Sequence, residues 1–363
     1  MSLRTLTSFV AASGIALSLS AQLPRIVVQG SGTPQVFTDF EAAVTAAQPN
    51  DVLYLSGGTF GFTGGFTIDK PLHLIGAGIH PDSSSVTAIT TLQALTAEPL
   101  IITTAATGSS FTGLVFTNAP GTSGWVPIVR YGNSAADDLP AGIVFSRCRF
   151  VNSVQLAFDA NVTSVASSVT TVFDECLFHY RLEGYKRGAT LTRCIFDRSG
   201  PGFYNITHFE NGGLLMENCV LLKAIMANVY NGTLRNCIST ATNYFGYDIP
   251  GTTITNCVIA AVNLSGSGAV NATNTITGAD PATFFVSETD DYYQFTDDLH
   301  LQTGCVGVGH GTGGTDVGIY GSSSPYKPGA MPFNPHFRQA DIAPSTNNNG
   351  ALPVNIRVAA QSH

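Results

Sequence analysis

The side chains best suited to chemistry lie three and four residues after cysteines that recur in similar short phrases along the chain. Successive copies of this pattern place His179 and Tyr180, then Asp197 and Arg198, then Lys223 at these positions. A histidine–aspartate pair can perform general acid–base catalysis near neutral pH. A row of cations beside an aromatic ring suits an acidic sugar chain. A solvent-exposed ladder of alternating charges would have the same pattern.

Stacking of the copies would bring these side chains to one face of the molecule. His179 would then lie above Asp197, and Tyr180 above Arg198 and Lys223. The candidate ligand-binding face comprises His179, Tyr180, Arg181, Asp197, Arg198 and Lys223. Because an ordinary charge ladder explains the same residues, the sequence assigns a catalytic role to none of them.

Motifs for other chemistries are absent from the sequence. Asp174 and Glu217 do not form the close carboxylate pair that glycosidases need. The stretch GHGTGGTD at 309–316 lacks the lysine of a phosphate-binding loop and departs from the GGxGxD calcium repeat. No CxxC or paired-histidine spacing indicates a metal. The sequence therefore predicts no metal site and no cofactor, and calcium has no motif to support it.

Six of the seven cysteines mark a repeat. They lie in the phrases FSRCRF, FDECLF, LTRCIF, MENCVL, LRNCIS and ITNCVI, which contain Cys148, Cys176, Cys194, Cys219, Cys237 and Cys257. The gaps between them, 28, 18, 25, 18 and 20 residues, are typical of a solenoid in which each repeat forms one coil. The longer gaps predict loops inserted at one edge.

The residue types around each cysteine predict a sharp corner. The positions three before, at and two after the cysteine are mostly apolar, whereas one uninterrupted strand would point the first to the opposite face. A residue in the left-handed conformation just before the cysteine would let the side chains on both sides of it point into the core. In three copies this position is asparagine, a residue that tolerates that conformation: Asn218, Asn236 and Asn256. Coils of about 20 residues with three short strands then stack in parallel. We predict an all-β, right-handed parallel β-helix.

The stacked cysteines are predicted to be buried and mostly free. Parallel stacking separates neighbouring Cβ atoms by roughly 4.8 Å, slightly more than a relaxed disulfide allows. A column of small apolar residues satisfies the same packing, and a free thiol behaves as one.

A second column, one residue after each cysteine, is predicted to point outward. It is largely apolar and contains Leu177, Ile195, Val220, Ile238 and Val258. A soluble monomer rarely exposes such a stripe. Two interpretations are open: the Pro- and Gly-rich tail at 306–363 packs over the stripe, or the stripe mediates self-association or partner binding.

The chain begins with the features of a secretory signal peptide at 1–21. Arg4 precedes an apolar stretch at 9–17, and small residues lead to Ala21, after which we predict cleavage. No later stretch reaches the apolar length of a membrane span, so we expect export without a transmembrane segment, to the extracellular space, the periplasm or the outer envelope. The net charge of −8 disfavours nucleic acid as a partner, since phosphate binding needs a basic face.

Residues 22–305 are predicted to form the β-helix and its N-terminal cap. The segment FTDFEAAVTAAQPNDVLYLSGGTF indicates a short helix, with Thr38 or Asp39 as its N-cap, that would cover the first coil. Together with LHLIGAGI, FTGLVFTNA and the cysteine phrases, it resembles the pectin-lyase-like β-helix superfamily over residues 26–305. The stretch GTDVGIYGSSSPYKPGAMPFNPHF is similar to the tails of secreted bacterial β-helix proteins of uncertain role.

The resemblance implies a polysaccharide or cell-surface glycan as the partner. Lyases of that superfamily use clustered acidic calcium ligands and a basic proton acceptor, and this sequence has no compact aspartate cluster onto which those roles transfer. A glycan-binding protein, adhesin-like or structural, is therefore the leading expectation. The alternative is a polysaccharide lyase or glycoside hydrolase that acts on an acidic polysaccharide through the candidate face. A scaffold that assembles through the apolar stripe is a third hypothesis.

Overall fold

The computed structural model describes residues 24–81, 88–159, 166–197, 204–327, 336–343, 345–347 and 349–359. In this part of the chain three long sheets, named A, B and C, are built almost wholly from parallel strands. Successive strands enter sheets A, B and C in turn, so each circuit of the chain forms one coil. The predicted parallel β-helix is confirmed.

The strands are short and are numbered along the chain. Sheet A contains β1 (Ile26–Gln29), β2 (Gln35–Phe37), β3 (Val52–Leu55), β6 (His73–Ile75), β9 (Ser110–Thr112), β12 (Val144–Ser146), β15 (Ala166–Asp174), β18 (Arg187–Thr192), β21 (Leu214–Glu217), β24 (Thr233–Arg235), β27 (Thr253–Thr255) and β30 (Asn271–Thr273). Sheet B contains β4 (Gly58–Phe62), β7 (Thr90–Ala94), β10 (Val115–Thr117), β13 (Arg149–Phe150), β16 (Leu177–Phe178), β19 (Ile195–Phe196), β22 (Val220–Leu221), β25 (Ile238–Ser239), β28 (Val258–Ile259) and β31 (Ile276–Thr277). Sheet C contains β5 (Thr67–Ile68), β8 (Leu100–Ile102), β11 (Pro127–Tyr131), β14 (Ser153–Gln155), β17 (Leu182–Glu183), β20 (Ile206–Phe209), β23 (Met226–Val229), β26 (Tyr244–Tyr247) and β29 (Asn263–Ser265).

The corner between sheets A and B has the predicted left-handed conformation. The residue before each repeat cysteine has φ between 51° and 54° in six coils, at Arg147, Glu175, Arg193, Asn218, Asn236 and Asn256. This one residue breaks the alternation of side-chain direction, so that the residues on both sides of the corner point into the core.

The interior of the β-helix is a set of side-chain ladders. Phenylalanine rings from successive coils stack in parallel, with centroids 4.8 Å apart for Phe111–Phe145 and 5.2 Å for Phe145–Phe173. The repeat cysteines form another ladder, and these six thiols are buried and free, which agrees with the predicted stack of buried, mostly free thiols. Cys305, which lies outside the ladder, is also free and buried. The Cys176 thiol lies 3.4 Å from the carbonyl oxygen of Phe145 in the preceding coil and donates a hydrogen bond to it. Free thiols therefore fill the column without cross-linking it.

The N-terminal end of the β-helix is capped. Helix α1 (Phe40–Ala46) begins after Asp39, whose carboxylate accepts a hydrogen bond of 2.7 Å from the Ala42 backbone. Strands β1 and β2 pair antiparallel at the edge of sheet A. The Phe40 ring packs 6.1 Å from the Phe62 ring and is almost fully buried. The helix covers the first coil, as the sequence predicts, and the antiparallel strands, which it did not predict, close the edge of sheet A.

The coils end at β31, and the chain then leaves the three sheets. It forms a short hairpin of β32 (Phe285–Ser287) and β33 (Asp298–Leu301) and runs on without long strands to Lys327. A second, separate hairpin follows, made of β34 (His336–Ile342) and β35 (Val354–Ala359). Within the described ranges, short 3-10 turns occur at Thr104–Ala106, Pro281–Thr283 and Thr312–Gly314. No described helix has both the length and the apolar composition needed to cross a membrane.

The predicted apolar stripe lies inside the molecule, under residues 279–326, which we name the covering segment. The stripe residues are at most 1% exposed: Leu177, Ile195, Val220, Ile238 and Val258. They share a second hydrophobic core with the covering segment, which contributes Phe284, Tyr293, Val317, Ile319 and Tyr326. The Gly318 amide also donates to the Asn236 carbonyl at 2.7 Å. The stripe therefore packs against the covering segment of its own chain, and its side chains are buried and cannot contact a second copy.

Candidate functional site

The parallel register of sheet B brings the two halves of the predicted His–Asp pair together. Phe178 lies directly beside Phe196, and the next residue of each coil is His179 and Asp197. Nδ1 of His179 donates to Oδ2 of Asp197 over 2.5 Å, and both side chains are almost fully buried. The stacking of His179 above Asp197 that the sequence predicts is present.

The second ring nitrogen of His179 is also engaged. Its Nε2 accepts a hydrogen bond of 2.7 Å from Nε of Arg149, one coil earlier. Burial lowers the pKa of the Arg149 guanidinium. Because Nδ1 donates to Asp197 and Nε2 accepts from Arg149, the ring has no free nitrogen with which to take a proton from a substrate.

The covering segment lies over this pair. The Tyr293 amide donates to Oδ2 of Asp197 at 3.3 Å, and the Tyr292 ring stacks on His179 with centroids 5.3 Å apart. Lys223 forms an ion pair with Asp291, whose carboxylate also accepts a 2.5 Å hydrogen bond from the Thr240 hydroxyl. His179, Asp197 and Lys223 therefore hold the loop at 290–293 against the β-helix.

Tyr180 and Arg181 belong to a different cluster. The Tyr180 ring meets the Trp125 ring edge-on at 5.7 Å, and the Arg181 guanidinium lies 4.1 Å over the Trp125 ring. Arg181 also pairs with Glu183 at 2.9 Å. Gly124 permits the close approach, since a Cβ atom there would lie 1.9 Å from the Tyr180 ring. The predicted row of Tyr180, Arg198 and Lys223 is not seen. Tyr180 contacts Trp125 and Lys223 pairs with Asp291, while Arg198 lies outside the described residues.

An open cleft of about 390 Å³ separates the loop at 117–124 from the His179 coil. Its lining consists of Thr117, Asn118, Ala119, Pro120, Gly121, Thr122, Gly124, Val151, Asn152, His179, Tyr180 and Tyr292. Within the described part of the chain, this lining contains no Lys, Arg, Asp or Glu. Two tyrosine rings and several hydroxyl and amide groups form its walls, a composition that suits a polar ligand with an apolar ring face.

Sequence reasoning missed three contributors to this region: Asn118, Trp125 and Tyr292. Asn118 and Trp125 lie in the loop between β10 and β11, which precedes the first cysteine phrase and so could not be aligned with the repeat. The signal available was that Trp125 is the single tryptophan of the chain. Tyr292 lies more than 100 residues from His179 in sequence, and no local pattern links the two.

Asp174 and Glu217, the two carboxylates that the sequence analysis weighed as a glycosidase pair, lie on sheet A and are each paired with an arginine. Asp174 contacts Arg193 at 2.5 Å, and Glu217 contacts Arg235 at 3.2 Å. Burial raises the pKa of Asp174. Over the described residues, no three His, Cys, Asp or Glu side chains converge in a way that could hold a metal ion.

No protein-family model matches the sequence, and no curated protein matches it significantly.

Proposed function

We propose that this chain is an exported protein that binds an extracellular or envelope glycan in the cleft, as an adhesin-like or structural module. One observation carries the proposal: aromatic side chains and hydroxyl and amide groups line an open cleft at the loop edge of the β-helix. Aromatic faces pack against the apolar faces of sugar rings while polar groups bond their hydroxyls. The signal-peptide features of residues 1–21 and the resemblance to the pectin-lyase-like superfamily support the same proposal.

The charges near the cleft favour a neutral glycan over an acidic one. The cations of the candidate face that the structure describes have partners: Arg181 pairs with Glu183, and Lys223 pairs with Asp291. The chain as a whole carries a formal charge of −8, which opposes the approach of a polyanion.

A binding panel tests the proposal. The wild-type protein is titrated with neutral and acidic polysaccharides, with and without calcium, and compared with Tyr180→Ala and Tyr54→Ala. Both tyrosines are partly exposed, but Tyr54 lies on β3 near the N-terminal cap. We expect Tyr180→Ala to weaken binding at least tenfold and Tyr54→Ala to leave it unchanged. Absence of binding to every glycan, or equal losses in both variants, would reject the cleft as the site.

Polysaccharide cleavage is the second candidate function, because the buried His179–Asp197 pair adjoins the cleft. It would require the hydrogen bond from Arg149 to Nε2 of His179 to open first, so that this nitrogen can exchange a proton with the substrate. Turnover assays on the same panel distinguish it from binding alone. Lys223→Ala loosens the same loop but keeps the pair, so it is the control for the loop contacts. Because the His179→Ala, Asp197→Ala double variant is expected to be the less stable one, circular dichroism must first show that it is folded under the assay conditions. Cleavage that is lost in the double variant and kept in Lys223→Ala would establish an enzyme, and the absence of cleavage in the wild type would remove this candidate.

A further inference from the structure

The two ends of the β-helix differ in how they are closed. At the N-terminal end, α1 and the antiparallel strands cover the first coil. At the C-terminal end, β29, β30 and β31 are the last strands of their sheets, and no described strand pairs with their outer edges. Unpaired edges of this kind invite pairing with another segment.

The core is also open at this end. Ala272 occupies the ladder position of the buried Ile254, one coil earlier, yet it is exposed. Leu264 and Val270 pack against the core but are only partly buried. The last coil therefore presents apolar side chains and free strand edges together, a surface that we name the open coil end.

A second unpartnered surface lies on the C-terminal hairpin. Val354, Ile356 and Val358 alternate along β35, so they point to one face, and they are 51%, 48% and 56% exposed. The opposing positions on β34 are Ile342, Ala340 and Phe337. A two-stranded hairpin alone is at best marginally stable in water, so such a face requires something to pack against.

We propose that the hairpin β34–β35 docks on the open coil end of the same chain and caps the β-helix. The two surfaces are complementary, because each offers aliphatic side chains beside unpaired strand edges. This contact would cover the apolar core of the last coil, as α1 covers that of the first coil. The proposal does not depend on whether the cleft binds a glycan.

The connecting chain is long enough for this contact. The Lys327 amide donates to Oε2 of Glu175 at 3.5 Å, which fixes the start of the connection at the coil of β15. Sheet A continues for five further strands to β30, a distance of roughly 24 Å at about 4.8 Å per strand. The nine residue steps from Lys327 to His336 span at most roughly 30 Å when extended.

The connection also favours docking of the chain's own hairpin on the open coil end over docking of the hairpin of a second copy. Because the connection can span this distance, it holds the hairpin at a higher effective concentration around the coil end than a dilute second copy can reach. A second copy at micromolar concentration competes poorly with it. The occupant is therefore the hairpin of the same chain.

Hydrogen exchange on the full chain tests the proposal. We expect residues 263–277 to exchange at least tenfold faster in Ile356→Lys than in the wild type, because the charge disrupts the docking face. Asn355→Lys places the same charge on the opposite face of β35 and serves as the matched control, with wild-type exchange expected. Equal exchange of residues 263–277 in all three proteins would overturn the proposal.

Cross-linking identifies the occupant directly. Ala272→Cys and Ile356→Cys, combined in one chain, are expected to form a disulfide in a species of monomer mass under mild oxidation. A cross-linked dimer would assign the hairpin to a second copy, and no cross-link at all would reject the contact. Either result would contradict the proposal while leaving the glycan-binding test unaffected.

Discussion

At the scale of single residues, the hydrogen bonds of each side chain decide its role. His179 and Asp197 have the residue types of an acid–base pair, and the register brings them within 2.5 Å. Both ring nitrogens of His179 are hydrogen-bonded, one to Asp197 and the other to Arg149, and the Tyr292 ring stacks on the imidazole. The pair is thus built to anchor the covering segment, whereas Tyr180 remains at the cleft.

Removing Asp197 should be costly, because His179 and Arg149 would lose the anion that completes their buried network. We expect Asp197→Ala to lower the free energy of unfolding by about 3–5 kcal/mol. Lys223→Ala, whose side chain is 40% exposed, should cost less than about 1 kcal/mol. Urea denaturation of the two variants measures the difference, and similar losses would argue against the anchoring role.

The cysteine ladder should be chemically inert in the folded protein. Each thiol of the ladder is at most 2% exposed, which shields it from reagents. Burial raises the pKa of Cys176 and Cys194 well above the ordinary value, and the thiolate is the reactive form. At Cys237, burial raises the pKa, but hydrogen bonds with Cys219 and Cys257 outweigh this effect and lower the pKa, so the protection of this thiol comes from its burial alone. We expect slow alkylation of the native protein at pH 8 and reaction of seven thiols after denaturation without reductant. Mass spectrometry counts the labels, and fewer than seven in the denatured protein would show that disulfides are present.

At the scale of elements, the left-handed corner is the device that makes each coil. Asn is a good corner residue, yet three corners are Arg147, Glu175 and Arg193, which rarely adopt this conformation. Glu175 compensates by accepting a hydrogen bond of 2.8 Å from Arg147 and by forming an ion pair with Arg193 at 3.5 Å. The charges of the three corner residues alternate along the stack, so they form a largely buried ion-pair ladder and avoid like-charge contacts.

The cost of the left-handed corner can be isolated at Asn256. Both Asn256→Ala and Asn256→Gly remove the 2.8 Å hydrogen bond to Thr312, but only alanine retains the Cβ atom that opposes positive φ. We expect the alanine variant to be less stable than the glycine variant by about 1 kcal/mol. Thermal or chemical denaturation gives the difference, and an alanine variant as stable as the glycine variant would contradict this account of the corner.

The loop between β32 and β33 should make stability depend on pH. Burial raises the pKa of Glu288 to about 7, and the neighbouring Asp297 contributes. A carboxyl group with a raised folded-state pKa favours the folded protein most at low pH, and this contribution is lost as pH rises from about 4.5 through about 7. Glu288→Gln keeps an acceptor for the amides of Asp290 and Asp291 but cannot ionise.

The difference in melting temperature between wild type and Glu288→Gln, measured from pH 4 to pH 8, tests this coupling. We expect the two proteins to be similar near pH 4 and the variant to be the more stable one at pH 8. A difference that does not change with pH would show that Glu288 does not titrate in this range.

At the scale of the whole molecule, a long covering segment completes a repeat structure that is incomplete without it. The coils alone would expose a continuous apolar stripe along sheet B. Residues 279–326 bury that stripe and also supply Tyr292 to the cleft. Stability and the candidate site therefore depend on the same non-repetitive segment.

Two truncations separate the covering segment from the terminal hairpin. A chain that ends at residue 315 loses Val317, Ile319 and Tyr326 from the second core, whereas one that ends at residue 335 keeps them; both lack the hairpin. We expect the shorter chain to self-associate and to bind a hydrophobic dye more strongly than the longer one. Sedimentation and dye fluorescence measure this, and a shorter chain that stays monomeric would contradict the covering role.

Much of the fold could be predicted from the sequence because its evidence is local and repeated. The cysteine phrases give the coil length, the apolar positions give the inward face, and Asn218, Asn236 and Asn256 mark the left-handed corner. The N-cap at Asp39 is equally local. The pairing of His179 with Asp197 follows too, since stacking in register relates equivalent positions of adjacent coils.

The tertiary structure alone decided what covers the coils and how the candidate face divides. The contacts of Tyr292 with His179 and of Asp291 with Lys223 join segments that no repeat relates, so no spacing in the sequence foretells them. Packing of the covering segment buries His179, Asp197 and the apolar stripe, and leaves Tyr180 beside an open cleft. Periodicity determines local geometry, whereas the burial of a surface depends on which distant segment packs against it.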